Sequence, residues 1–321
     1  MARRNIAGPS THHADRRRST DRISRVIVQD RVAHLVRIAW RPLLGLFALD
    51  CTVTVLYVGF GWTWIAIQGL PLPLIGTGLA LFLGLRNNTA YARWWEARTL
   101  WGAVTNQSRS FARTVLMMLP DEADGDLRTR LVQHQIAWAH ALRASLRRED
   151  AKADASRHLP DRSGGEIEGA GNVPFTIQRR IVQELAEAHA AGRLDTIQLS
   201  AFNTVLSALT DAQGGLERIN NTPMPRQFAS LPRIFVFLYC LILPFGVVGS
   251  LGIYTPAGST LIGLLFFAFG SAGRDLEDPF ERSAHELPMS AITRTIEIDL
   301  KQALGRSDRP EPIKPVLGVL R

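Results

Sequence analysis

The chain has 321 residues, 46% hydrophobic and 21% charged, with 37 Lys and Arg against 29 Asp and Glu for a net charge of +8. These averages describe a basic soluble protein of one or two domains, and two cysteines exclude a disulfide framework. The averages mislead, because the charge is partitioned: between Pro42 and Leu85 the one carboxylate or basic side chain is Asp50, and between Ile234 and Gly273 there is none.

Residues 1–29 read as a basic cytoplasmic N-terminal arm containing His12-His13 and Arg16-Arg17-Arg18. Basic arms often bind nucleic acid, but this one precedes an apolar span and lacks interleaved aromatics, so it is expected to set topology and touch anionic lipid, with no nucleic-acid partner. No apolar stretch ending in a small-residue site follows Met1 at signal-peptide length, so the first membrane helix is expected to act as its own insertion signal. Residues 30–85 and 234–273 read as two transmembrane hairpins, since about forty apolar residues at about 1.5 Å each reach roughly 60 Å, twice a hydrocarbon core. The hairpin turns hold Gly61, Trp62, Trp64, Gly69, Pro71 and Pro73 in the first and Gly252, Tyr254, Pro256 and Gly258 in the second, without Lys or Arg. Arginine is dense in 3–41, 86–233 and after Arg274, which places both termini and the central segment in the cytoplasm by the positive-inside rule.

The second span has no Pro or Gly break between Leu85 and Trp101, so one helix is expected to leave the membrane and continue into water. Residues 86–233 read as a cytoplasmic helical domain. Trp101, Val104, Phe111 and Val115 recur at helical spacing in one segment, and Leu131, Ile136, Trp138, Leu142 and Leu146 in the next, which begins near Pro120-Asp121. From 147 to 172 large apolar residues are nearly missing, which predicts a mobile loop. Helices are expected to resume after Pro174 and again after Asp195, a helix cap for Thr196 to Leu209, with Gly214-Gly215 as a helix-loop element. Residues 274–321 read as a cytoplasmic C-terminal segment.

No nucleophile elbow, phosphate-binding loop, dinucleotide fingerprint or His-Glu-x-x-His pair occurs, so the chain is read as no enzyme and without a cofactor. Cys51 and Cys240 read as small buried residues, and His134, His140, His189 and His285 lack zinc-ligand spacing. Glu277, Asp278, Glu281 and Glu286 match no calcium loop, so no metal site is expected. Asp50 would cost about 2.5 to 3.5 kcal/mol near a bilayer centre. It is therefore expected to find donors, either at the pore periphery or as a hydrogen-bonded link to Thr52, Thr54 or a neighbouring span.

The motifs Arg86-Asn87-Asn88 and Arg93-Trp94-Trp95-Glu96-Ala97-Arg98 with Leu100-Trp101-Gly102, then Leu243-Pro244-Phe245-Gly246, Leu276-Glu277-Asp278-Pro279-Phe280 and Glu286-Leu287-Pro288, resemble bacterial bestrophin-type ion channels. The resemblance runs from about Asp30 to Leu304. It implies a homopentamer whose second spans line a central pore with a narrow apolar neck, above a cytosolic vestibule closed by a second aperture. Carried over residue by residue, the neck falls on Thr77, Leu81 and Leu85, with Asn88 lining the pore below it and Ile197 at the cytosolic aperture. Residues four apart drift about 40° on a helix, and Asn88 returns to within about 20° of Thr77, so these four positions share a stripe. Thr77 is polar where the family places a larger apolar residue, so the outer neck is expected to be wider or wetter.

Arg93, Trp94, Trp95, Glu96 and Arg98 read as a structural motif, with Trp94, Arg98 and Trp101 on one packing face and Arg93 and Glu96 as an i, i+3 pair. Arg282 and the short acidic complement after Pro279-Phe280 predict weak or absent calcium activation. The sequence thus predicts an all-α integral membrane protein with four transmembrane helices, a helical cytoplasmic domain and bestrophin-like pentameric assembly. It is expected in the cell inner membrane as a channel for small monovalent ions, with the lipid bilayer and its own copies as partners. The resemblance to the bacterial branch leans toward sodium and other monovalent cations. Alternatives are a chloride or other anion channel of the same fold, or a secondary transporter, which would need charge partners for Asp50 in the membrane.

Overall fold

The computed structural model describes residues 40–119, 121–159, 164–282 and 286–315. The expectations for the basic arm, His12-His13, the first ten residues of the leading hairpin, Pro120 and His285 lie outside these residues. Among the described residues every regular element is helical. The helices are α1 (Trp40–Gly59), α2 (Leu72–Met118), α3 (Asp121–Leu146), α4 (Ala151–Ser156), α5 (Gly164–Glu168), α6 (Val173–Ala190), α7 (Thr196–Asn221), α8 (Arg226–Leu251), α9 (Thr255–Arg274) and α10 (Met289–Ala303). Contacts divide them into two units, one of residues 40–87 and 225–274, the other of residues 88–224 and 275–314.

The first unit is the apolar one. Trp40–Gly59 and Ser230–Arg274 are long and apolar enough to cross a membrane, and only 22% and 33% of their most apolar windows are buried in the single chain, unlike the core helices of a soluble protein. The apolar part of α2 ends at Leu85, where charge begins, so it is shorter than those two stretches. The second stretch breaks at Gly252, whose φ of 51° lies in the left-handed region that glycine enters without strain, and so becomes the pair α8 and α9. Leu46, Leu79, Leu83, Val236, Cys240 and Leu243 make the core, and Val53, Ile65 and Val248 pack a second cluster under the first turn. At Gly246 any Cβ would collide with Leu72, so the Leu243-Pro244-Phe245-Gly246 motif allows α8 to approach the start of α2.

The second unit is an ordinary aqueous-type core. Every position that the periodicity marked in 100–146, from Trp101 to Leu146, is buried, joined by Ile177, Ile181 and Leu185 of α6, Phe202, Leu209 and Leu216 of α7, and Ile296 and Leu300 of α10. Asp195 caps α7 in a reciprocal box with Gln198, and Asn172 caps α6 through the backbone N–H of Phe175.

Two expectations need correction here. The segment 147–172 is not a plain loop: Asp150 accepts from the N–H groups of Lys152 and Ala153 to start α4, and Ala155 and Ile167 of α4 and α5 are buried in the core. Gly214 and Gly215 lie inside α7, which runs on to Asn221. A Cβ at Gly215 would sit 2.8 Å from Leu100 Cδ1, so the glycine serves a close helix crossing rather than a turn.

Candidate functional site

The apolar part of α2 has two distinct faces. Leu72, Gly76, Leu79, Leu83 and Arg86 are buried, whereas Leu74, Thr77, Leu81 and Leu85 are exposed, Leu81 to 65% and Leu85 to 58%. At about 100° per residue the two sets lie on opposite sides of the helix. Asn88, further along α2, is also exposed. Four sequence-predicted positions are therefore available to something other than their own subunit's core. The Thr77 hydroxyl donates to the carbonyl of Pro73 at 2.7 Å, which satisfies its one donor and leaves the methyl as part of the presented surface.

The base of this helix segment is pinned by its polar residues. Arg86, buried, donates to the carbonyl of Gly270 at 3.1 Å, and the Asn87 amide donates to the carbonyl of Phe269 at 3.0 Å, both near the C-terminal end of α9, where partial negative charge suits a cation. A Cβ at Gly273 would collide with the Asn87 amide, so this close approach depends on glycine. Asp50 is buried on α1, and its two carboxylate oxygens accept from the hydroxyls of Ser259 at 3.0 Å and Thr260 at 3.1 Å on α9. Of the two expectations for Asp50, the inter-helix link describes these contacts; Thr52 and Thr54 instead bond backbone carbonyls of α1.

The Arg93 to Arg98 motif lies in the second unit. Arg93 and Glu96 are not partners of each other. The Arg93 guanidinium donates to the carbonyls of Ile219 and Thr222, and Glu96 pairs with Arg218. Both therefore engage the end of α7, where carbonyls lack intrahelical donors. Trp94 packs on the core, Trp101 is fully buried, Tyr91 stacks on both Trp94 and Trp95, and Trp95 and Arg98 are exposed. Ile197, in the first turn of α7, is 81% exposed, an unusual setting for isoleucine.

Two of the acidic residues after α9 have partners of their own. Glu286 pairs with Arg147 at 3.3 Å, Asp278 accepts from the backbone N–H of Phe280, and Arg282 turns away to Glu149. A different cluster, invisible to spacing, is assembled by the fold: His140 of α3, His158 just after α4 and Glu297 of α10 present ligand atoms within 4.8 Å of one another. Burial pushes His158 down to about 4, with the charge of His140 acting in the same direction. Burial works to raise the Glu297 carboxyl, but hydrogen bonds from His140 and Lys301 outweigh it and hold the group at about 2.

Residues 14–302 match the family described as Bacterial/Fungal Bestrophin protein. The chain is 35% identical over 276 residues to the voltage-dependent anion channel-forming protein YneE of Salmonella typhi, covering 86% of this chain and 90% of that one. With YneE of Escherichia coli K12 it shares 37% identity over 246 residues, 76% of this chain and 80% of the other. Among solved structures, a bacterial bestrophin homolog from Klebsiella pneumoniae superposes with a TM-score of 0.77 at 32% identity, covering 83% of this chain and 98% of that one.

Proposed function

The chain belongs to the bacterial and fungal bestrophin family, an all-α membrane-channel fold, and from that membership we propose that it forms a homopentameric channel passing small monovalent anions passively across the inner membrane. The observation that supports this reading is the exposed row Leu74, Thr77, Leu81 and Leu85 on α2, opposite a fully packed face. Five such rows around an axis enclose a path, with Thr77, Leu81 and Leu85 as its neck, Asn88 below and Ile197 at a cytosolic aperture. Four spans with both termini in the cytoplasm follow from the arginine distribution.

The choice of anions reverses the lean toward cations that the sequence resemblance suggested. The relatives matched over most of their length are named as anion channel-forming proteins. Purified protein in planar bilayers under a sodium chloride gradient tests both levels. Unitary currents reversing near the chloride equilibrium potential support the proposal, reversal near the sodium potential overturns the anion assignment, and saturable uptake without unitary current overturns the channel.

A further inference from the structure

Three elements far apart in sequence converge on one group of nitrogen and oxygen donors. His140 Nε2 faces Glu297 Oε2 at 3.3 Å, His158 Nδ1 faces Glu297 Oε1 at 4.0 Å, and the two imidazoles stack with centroids 4.0 Å apart. On the far side of His140, Nδ1 lies 3.9 Å from Asp154 Oδ2. That carboxylate is held in turn by Arg143 at 2.7 Å and Arg157 at 3.5 Å. At 3.9 Å this is a charge contact beyond hydrogen-bond reach; closed to a hydrogen bond, a carboxylate on that side of a ligating histidine fixes ring orientation and tautomer in zinc sites.

We propose that His140, His158 and Glu297 bind a borderline transition-metal dication, with zinc the best match, and that the ion ties α3, the turn after α4 and α10 together. Two imidazoles and one carboxylate suit zinc rather than calcium or magnesium, which take oxygen donors. Tetrahedral zinc at about 2.0–2.1 Å from its ligands places those ligands about 3.3–3.5 Å apart. The present spread of up to 4.8 Å is thus slightly loose. Ligation needs His158 to tilt out of the stack, because a ring's lone pair lies in its plane. His158 sits on a partly exposed turn, and imidazole torsions are broad.

The competing cation is Lys301, whose Nζ is 3.0 Å from Glu297 Oε1, with Arg294 3.9 Å from Oε2. Lys301 has another place to go, since Asp308 Oδ2 is already within 3.8 Å of it. A metal and Lys301 therefore compete for one carboxylate. This distinguishes a metal site from a purely structural ion-pair cluster, in which removing Lys301 would only cost stability.

The test uses untagged full-length protein in detergent with His12 and His13 both replaced by alanine, stripped with chelator and titrated with zinc chloride by calorimetry, with metal content by elemental analysis and cobalt(II) substitution followed in the visible. Expected are one zinc per chain, tetrahedral cobalt bands and a zinc-dependent rise in melting temperature. His158→Asn, at a position that should fold normally in chelator, weakens binding at least about tenfold, Asp154→Asn weakens it about tenfold, and Lys301→Met tightens it. Less than a tenth of a zinc per chain at equimolar metal, or wild-type affinity in His158→Asn, overturns the site.

Discussion

Leu81 and Leu85 offer no atom that replaces an ion's hydration water, so a narrow ring of either blocks by dewetting rather than by plugging. Truncation to alanine widens and wets the ring at little cost to folding, because neither side chain packs on its own subunit's core. Leu81→Ala and Leu85→Ala should each raise unitary conductance or open probability several-fold in bilayers. Wild-type currents from both would remove these residues from the neck. Thr77 illustrates what a sequence leaves out: its hydroxyl donates to the Pro73 carbonyl, so toward the outer ring it can act only as an acceptor. His134 carries a different prediction. It is fully buried on α3, and burial followed by the Arg180 charge lowers it from 6.5 to about 4. The unfolded chain therefore takes up this proton near pH 6.5 while the folded chain resists to about 4, so stability falls as pH drops through that window, by about 2 kcal/mol at pH 5. Glu184 beside it, with its carboxyl raised by burial, works in the opposite direction. His134→Gln should thus show a smaller drop in melting temperature between pH 7 and pH 5 than wild type, and an identical drop would refute the assignment.

Helix identity in the second unit was legible because a core surrounded by water enforces a 3.6-residue period, and Trp101 to Leu146 kept it without exception. Where apolar side chains were sparse the signal vanished: α4 buries Ala155 and α5 buries Ile167, and the Asp150 cap that starts α4 went unread within a segment expected to be a loop. Spacing also paired Arg93 with Glu96 because both lie on one helix, whereas the fold gives each a partner on α7. These two contacts differ in strength. Charged hydrogen bonds from Arg93 to helix-terminal carbonyls are worth about 1.5–3 kcal/mol, while the exposed Glu96–Arg218 pair is worth about 1 kcal/mol or less. Arg93→Met should therefore lower the detergent melting temperature by several degrees and Glu96→Gln by far less. Equal shifts would show that the motif acts through charge pairing alone. The histidine and carboxylate cluster was illegible for a related reason: His140, His158 and Glu297 come from three elements, and no local pattern brings residue 140 to residue 297.

At the scale of the whole molecule, a single sequence records contact with other copies only as surface that a lone chain cannot account for. The row on α2 is such a surface. Its leucines are more than half exposed although the opposite face is packed to near-zero accessibility at Leu83. The proposed cyclic assembly would use it, because each copy then presents the row to a shared axis and closure leaves no unpaired interface. The sign of the permeant ion was not legible in the same way: the +8 charge is dominated by arginines already used to set topology, and an apolar neck selects by access rather than by charge. Fivefold closure is the expectation the family resemblance supplies, and it can be checked without any current. Native mass spectrometry from mild detergent should give one dominant species at five times the 35.5 kDa chain mass. Mixing wild-type and Leu81→Ala chains before assembly should then yield a graded series of conductance classes, since every ring holds a statistical mixture. Monomers and dimers alone in the spectrum would overturn the assembly, and two classes without intermediates would show that Leu81 does not sit in a shared ring.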